Sequence, residues 1–100
     1  MFIIQLTYLV PLSRIDELVE EHKEFLRKYY SLGNFLMSGP RIPREGGIIL
    51  ARANGLEEMK EILAEDSFWR EGAARYDIIE FNPNQHNRDL STILEEKLGN

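Results

Sequence analysis

Residues 2 to 10 alternate along an extended chain, with Phe2, Ile4, Leu6, Tyr8 and Val10 on one side and Ile3, Gln5, Thr7 and Leu9 on the other. A strand with one fully apolar side has to bury that side, which commits the chain to a sheet covered by other elements. The opposite side is half polar and suits either a lined pocket or the sheet of a second subunit. The apolar run is too short to span a bilayer and carries neither a basic flank nor a small-residue cleavage site, so neither a membrane span nor a secretory leader is expected.

Pro11 ends this strand, and Ser13 followed by Asp16 has the spacing of a capping box, predicting a helix from about Arg14 to a stop at Gly33. Ile15, Leu18, Val19, Phe25, Leu26 and Tyr29 form its apolar stripe, opposite Glu17, Glu20, Glu21, Glu24, Arg27 and Lys28. His22 stands four residues beyond Leu18 and three before Phe25, in the middle of the inward stripe. NFLMSGP then reads as a short strand ended by Gly39 and Pro40. RIPRE is a hairpin-like loop, and Gly46-Gly47 introduces a strand, IILARA, through residue 53. After the Asn54-Gly55 turn, Leu56, Met59, Ile62 and Leu63 space a second amphipathic helix to about Ala64. Asp66 takes an N-cap position before a brief turn with Phe68 and Trp69, and ARYDIIEFN, residues 74 to 82, is a fourth strand closed by Pro83.

Strand, helix, strand, strand, helix, strand is the split β-α-β order. It predicts an α+β, ferredoxin-like βαββαβ domain over residues 1–83, a four-stranded antiparallel sheet with helices on one face. In the extension, residues 84–100, Leu90, Ile93, Leu94 and Leu98 fall at helical spacing, and the core does not require the helix they form over 87 to 98. It is expected to embrace a partner subunit or cover the sheet edge. The surplus apolar surface of a sheet covered on one side predicts a homodimer with the sheets face to face.

Composition excludes several functions. Seventeen acids against twelve bases, a net charge of −5, leave no face with the positive field that nucleic acid requires. No cysteine is present, which removes disulfides, thiolate catalysis and Cys-based zinc sites; nothing calls for secretion, and a cytoplasmic location is expected. An acylphosphatase-like use of this topology would need a phosphate cradle before Arg14, and PLS holds no glycine to build one. An RNA-binding use would need exposed aromatics in a basic setting. His22 and His86 have no supporting metal-ligand spacing, and His86 lies in a polar stretch where it is expected to be solvated. No metal and no cofactor are expected.

His22 has two readings. A histidine on an apolar stripe is more often a satisfied core residue than a catalytic one. Asp66, just past the second helix, returns to the sheet edge that the first helix overlies, and can meet it. A carboxylate accepting from one ring nitrogen fixes the tautomer and leaves the other nitrogen facing a cavity as a general base. Asp66 can equally serve only as a helix cap. Tyr8, Tyr29 and Tyr30 offer phenols, although buried tyrosines are commonly core with a satisfied hydroxyl.

The apolar first strand, His22 within EEHKEFL, SGP at 38 to 40, GGIIL at 46 to 50 and the acidic turn before an aromatic, DSF at 66 to 68, occur in this order over roughly residues 1 to 83. The ordered set resembles the YCII-related family. The family pattern has proline after the aspartate, where this chain has Ser67, and the turn is expected to be less rigid for it. The resemblance implies a dimeric α/β-barrel-type domain with a pocket between sheet and helix. It also implies His22 and Asp66 as a general acid/base pair, with Ser38 and Gly39 as pocket wall where the backbone comes close to a ligand. Two functions follow as expectations. One is a cofactor-independent isomerase or lyase-type enzyme acting on a small organic molecule. The other is a dimeric ligand-binding or accessory protein whose His-Asp pair is a buried polar anchor.

Overall fold

The computed structural model describes residues 1–95. Its elements are β1 (Phe2–Tyr8), α1 (Leu12–Ser31), β2 (Phe35–Pro40), β3 (Gly46–Ala51), α2 (Leu56–Leu63), α3 (Ser67–Arg70), β4 (Ala74–Glu80), a short 3-10 turn (Arg88–Leu90) and α4 (Ser91–Glu95). The strands form one sheet in the order β2-β3-β1-β4, and every neighbouring pair is antiparallel. Phe2, Ile4 and Leu6 of β1 are buried together with Ile15, Leu18, Phe25 and Tyr29 of α1 and Met59, Ile62 and Leu63 of α2. The alternation of the first strand is thus realised as one covered and one open face, the α+β architecture anticipated from element order.

Element boundaries moved where partners ran out. β1 stops at Tyr8, not Val10, because its neighbours β3 and β4 begin at Gly46 and Ala74, and the next amide, that of Leu9, bonds to the Ala73 carbonyl instead. The capping box is absent. α1 begins at Leu12, so Ser13 already lies inside the first turn, and the extended Pro11 offers its carbonyl to the amides of Arg14 and Ile15. The other end follows expectation: Gly33 adopts φ 87°, its amide bonding to the Tyr30 carbonyl and that of Asn34 to the Tyr29 carbonyl. This paired closure is the Schellman arrangement that glycine permits.

β2 differs in a way that matters for function. The strand ends at Pro40 as expected, but Gly39 and Pro40 are paired within it, with Ile48 and Gly47, and Pro40 is tolerated because β2 is an edge strand. A bulge lies between Phe35 and Met37. Phe35 pairs with Ala51 and Ser38 with Ile49, both partners being buried on the helix side. Simple alternation from Phe35 would turn Ser38 to the open face. The bulge returns it to the helices.

The extension bends back rather than standing free: the Arg52 guanidinium donates to the Gly33 carbonyl at 2.9 Å and to the Ile93 carbonyl at 2.6 Å. Leu90 and Ile93 stay nearly half exposed, and Leu98 lies outside the described residues. Among the described residues no helix is long and apolar enough to cross a membrane.

Gly46 of β3 pairs with Thr7 of β1, and a Cβ there would lie 1.7 Å from the Leu6 carbonyl oxygen. Gly39 has nothing within 4 Å of such a position. Gly46→Ala is therefore expected to cost about 2 kcal/mol or more through forced strand displacement, whereas Gly39→Ala stays within about 0.5 kcal/mol. Urea unfolding followed through Trp69 fluorescence checks both.

Candidate functional site

α1 carries His22 into a gap of its apolar stripe, where the ring stacks on Phe68 with centroids 4.2 Å apart and planes 12° from parallel. Phe68 belongs to α3, whose cap residue is Asp66. The Asp66 side chain has no exposed surface, so its oxygens need donors from the protein. It has three. Oδ1 accepts from the Phe68 amide at 3.1 Å and lies 2.8 Å from Nδ1 of His22; Oδ2 accepts from the Tyr76 hydroxyl at 2.5 Å. The two readings of Asp66, cap and histidine partner, are not alternatives: one oxygen does both.

This network sets the histidine tautomer. Tyr76 keeps its proton, because burial first and the charge and hydrogen bond of Asp66 after it push the phenol far above its ordinary value. With the Tyr76 hydroxyl and the Phe68 amide both donating, an ionised Asp66 is left as an acceptor toward Nδ1, which must carry the hydrogen. In the neutral ring the lone pair is then on Nε2, which among the described residues has no hydrogen-bond partner. Its environment is a cavity of about 430 Å³ between α1 and the β2–β3 side of the sheet, lined by His22, Phe68, Leu6, Tyr8, Ser38, Gly39 and others.

The expected site residues converge. His22, Ser38 and Gly39 share the cavity wall, and Asp66 stands behind His22, out of the cavity. The Ser38 hydroxyl is 2.6 Å from that of Tyr30, so it is held in place from α1. Gly39 is not demanded by the fold: its φ is ordinary, and a side chain there would meet open space. Tyr29 is core; its hydroxyl donates to Glu65, which Lys28 also holds at 2.6 Å. Burial raises the Tyr29 phenol, and Lys28 first, then Tyr29, hold Glu65 below the usual carboxylate value. Nε2 of His86 lies 3.3 Å from the Ser91 hydroxyl, and His86 does not line the cavity. Among the described residues no cluster of metal-ligating side chains occurs.

Three contributors escaped the sequence reading. Tyr76 pairs with Leu6 on the covered face, so the alternation of β4 marks it as inward, though nothing in it marks the partner. Arg44 comes from a loop without periodicity and reaches the cavity. Ser67, expected to loosen the turn, is 1% exposed and donates to the Leu18 carbonyl at 2.9 Å. That carbonyl belongs to the α1 turn ending at His22, and a proline at position 67 could not make this bond.

A family model described as "YCII-related domain" matches residues 1–82. The chain belongs to the YCII-related family. Among solved structures, this YCII-related chain is similar to 5-chloro-2-hydroxyhydroquinone dehydrochlorinase (TftG) from Burkholderia phenoliruptrix AC1100, in complex with 2,5-dihydroxybenzoquinone. The TM-score is 0.64 at 16% identity, over 82% of this chain and 94% of that one, a likeness of fold. No curated protein matches.

Tyr76→Phe removes one donor from a buried carboxylate and is expected to cost about 2–3 kcal/mol at neutral pH; Ser67→Ala should cost about 1 kcal/mol. Because Tyr76 is raised in the folded protein from an ordinary value of 10.0, its contribution is complete below that value and is lost as pH rises above it. Urea midpoints should therefore fall more steeply above about pH 10 in the native sequence than in Tyr76→Phe. Tyr29, common to both proteins, cancels in the difference.

Proposed function

We propose that this chain is a cofactor-independent enzyme that moves a proton on a small organic molecule, with His22 as general base and Asp66 as its orienting partner. The carrying observation is the 2.8 Å contact of Nδ1 with a buried carboxylate in a histidine that also lines the cavity. The lone pair on Nε2 takes a proton from a carbon next to a carbonyl, leaving an enolate. The imidazolium so formed is stabilised by Asp66, whose other oxygen stays bonded to Tyr76. Return of the proton to a different carbon completes an isomerisation. Collapse of the enolate's electron pair into a new carbon–carbon double bond, as a leaving group departs with the pair of its own bond, completes an elimination. The neighbour's name, dehydrochlorinase, and the hydroxylated quinone in its complex favour elimination on a small hydroxylated ring.

Deuterium incorporation into ring carbon acids in heavy water, followed by mass spectrometry, tests the assignment. His22→Gln should slow exchange by about 10² to 10⁴, and Asp66→Asn should give a smaller loss. Native-like exchange by His22→Gln overturns the base. A ligand that binds tightly and never exchanges in the unmodified protein leaves a binding module in place of an enzyme.

We further propose that two copies associate through the open faces of their sheets. Ile3, Met37, Ile48 and Ile79 are all more than a third exposed, at 37%, 65%, 38% and 55%. Ile3 lies beside Leu50 and Ile79 in register, so the apolar side chains continue across the strands. Sedimentation at tens of micromolar is expected to give a dimer, and Ile79→Lys a monomer. A monomeric native chain at that concentration removes the proposal.

A further inference from the structure

Asp16, Val19, His22, Lys23 and Leu26 follow one flank of α1 and form one side of the cavity. From the opposite side, in the β2–β3 loop, Arg44 reaches across and donates from Nη2 to Oδ1 of Asp16 at 2.7 Å. This contact joins residues 28 apart in sequence, both of them on the cavity wall. It uses one of the five N–H groups of the guanidinium. Tyr8, on the same cavity wall, also stands beside this guanidinium, and Asp16 first, then Tyr8, raise Arg44 above its ordinary value. The cavity wall thus holds two cations, Lys23 and Arg44, against one acid, Asp16, in a chain whose net charge is −5. Lys23 lies 3.7 Å from Glu20, one turn earlier on the exposed side of α1, a separation at which solvent screens the pair.

We infer that Arg44, held in place by Asp16, is the specificity-determining residue of this cavity, and that the molecule taken up is a small organic anion whose ionised oxygens meet the free edge of the guanidinium. The inference rests on the acid/base reading of the same site for what happens next, but not for the binding itself. A planar guanidinium with N–H groups still unspent matches the paired oxygens of a carboxylate or of an ionised hydroxy-ketone, which an ammonium matches only as a point charge. The arrangement also suits the chemistry. An enolate formed at Nε2 of His22 places negative charge on oxygen within a cavity that already carries a cation, and a preorganised donor lowers the cost of that charge. Asp16 does not cancel this role, because it occupies one side of the fork and fixes the direction of the other.

The probe is 2,5-dihydroxybenzoquinone, an acidic hydroxyquinone that is ionised at neutral pH, set against its uncharged 2,5-dimethoxy analogue. With no cysteine in the chain, thiol addition to either quinone does not interfere. Titration calorimetry on the native protein should show the anion binding at least tenfold more tightly than the dimethoxy compound, with an affinity that falls as sodium chloride rises. Arg44→Gln should weaken anion binding about tenfold, a difference of about 1.4 kcal/mol, leave the dimethoxy compound unchanged and flatten the salt dependence. Arg44→Lys should recover part of the loss. Thermal unfolding of each variant separates lost binding from lost folding; should Arg44→Gln unfold, the native protein's preference for the anion and its salt dependence decide. Failure of the native chain to bind the anion overturns the inference, as does equal affinity for the two quinones or an Arg44→Gln affinity within twofold of native. Anion binding that depends on Arg44, together with exchange that does not depend on His22, would sink the enzymatic reading and leave this one standing.

Discussion

A carboxylate without exposed surface is costly unless every lone pair that water would have served finds a donor, and Asp66 is such a group. Its donors come from three elements: the imidazole from α1, an amide from α3 and a phenol from β4. Meeting that requirement brings the middle of the long helix, the start of the short one and the covered face of an outer strand to one point. The stacking of His22 on Phe68 and the bond from Ser67 to the Leu18 carbonyl close the same knot from its apolar and polar sides. The candidate site is the exposed edge of this knot. His22 and Phe68 both touch the buried charge and the cavity, and of the two His22 is the one with a nitrogen base to offer.

The other wall has a different origin. Ser38 faces α1 only because β2 gains a residue between Phe35 and Met37, and its hydroxyl is then taken up by Tyr30. Gly46 lets β3 approach β1 at the base of the same region, where a Cβ would collide with backbone. Gly39, by contrast, meets no steric demand from the protein. The first of these glycines is accounted for by packing within the chain, the second by nothing within it.

Much of the site was legible because its chemistry interrupts a pattern. His22 stands on a stripe that is otherwise apolar, and an interruption of that kind is visible without a structure. Asp66 was visible as a cap, and its second partner followed from fold topology. Tyr76 was less visible, since an inward tyrosine in a strand is ordinary and its hydroxyl partner lies on another element. Arg44 was invisible: a loop has no period, and a charged residue in a loop is usually solvated. The capping box at Ser13 and Asp16 failed for a related reason. The spacing was present, but Pro11, with its extended conformation, started the helix two residues sooner and left Asp16 free to meet Arg44.

Hydrophobic periodicity determined the order of strands and helices, the covered face of the sheet and the inward position of His22, and a single glycine, Gly33, determined the end of α1, because each is written in the local spacing of residue types. Only the tertiary structure decided the bulge that turns Ser38, the sharing of Asp66 among His22, Phe68 and Tyr76, and the reach of Arg44 across the cavity to Asp16. Those features depend on the distance and direction between groups as many as 44 residues apart. Local spacing carries no such information until the chain has folded.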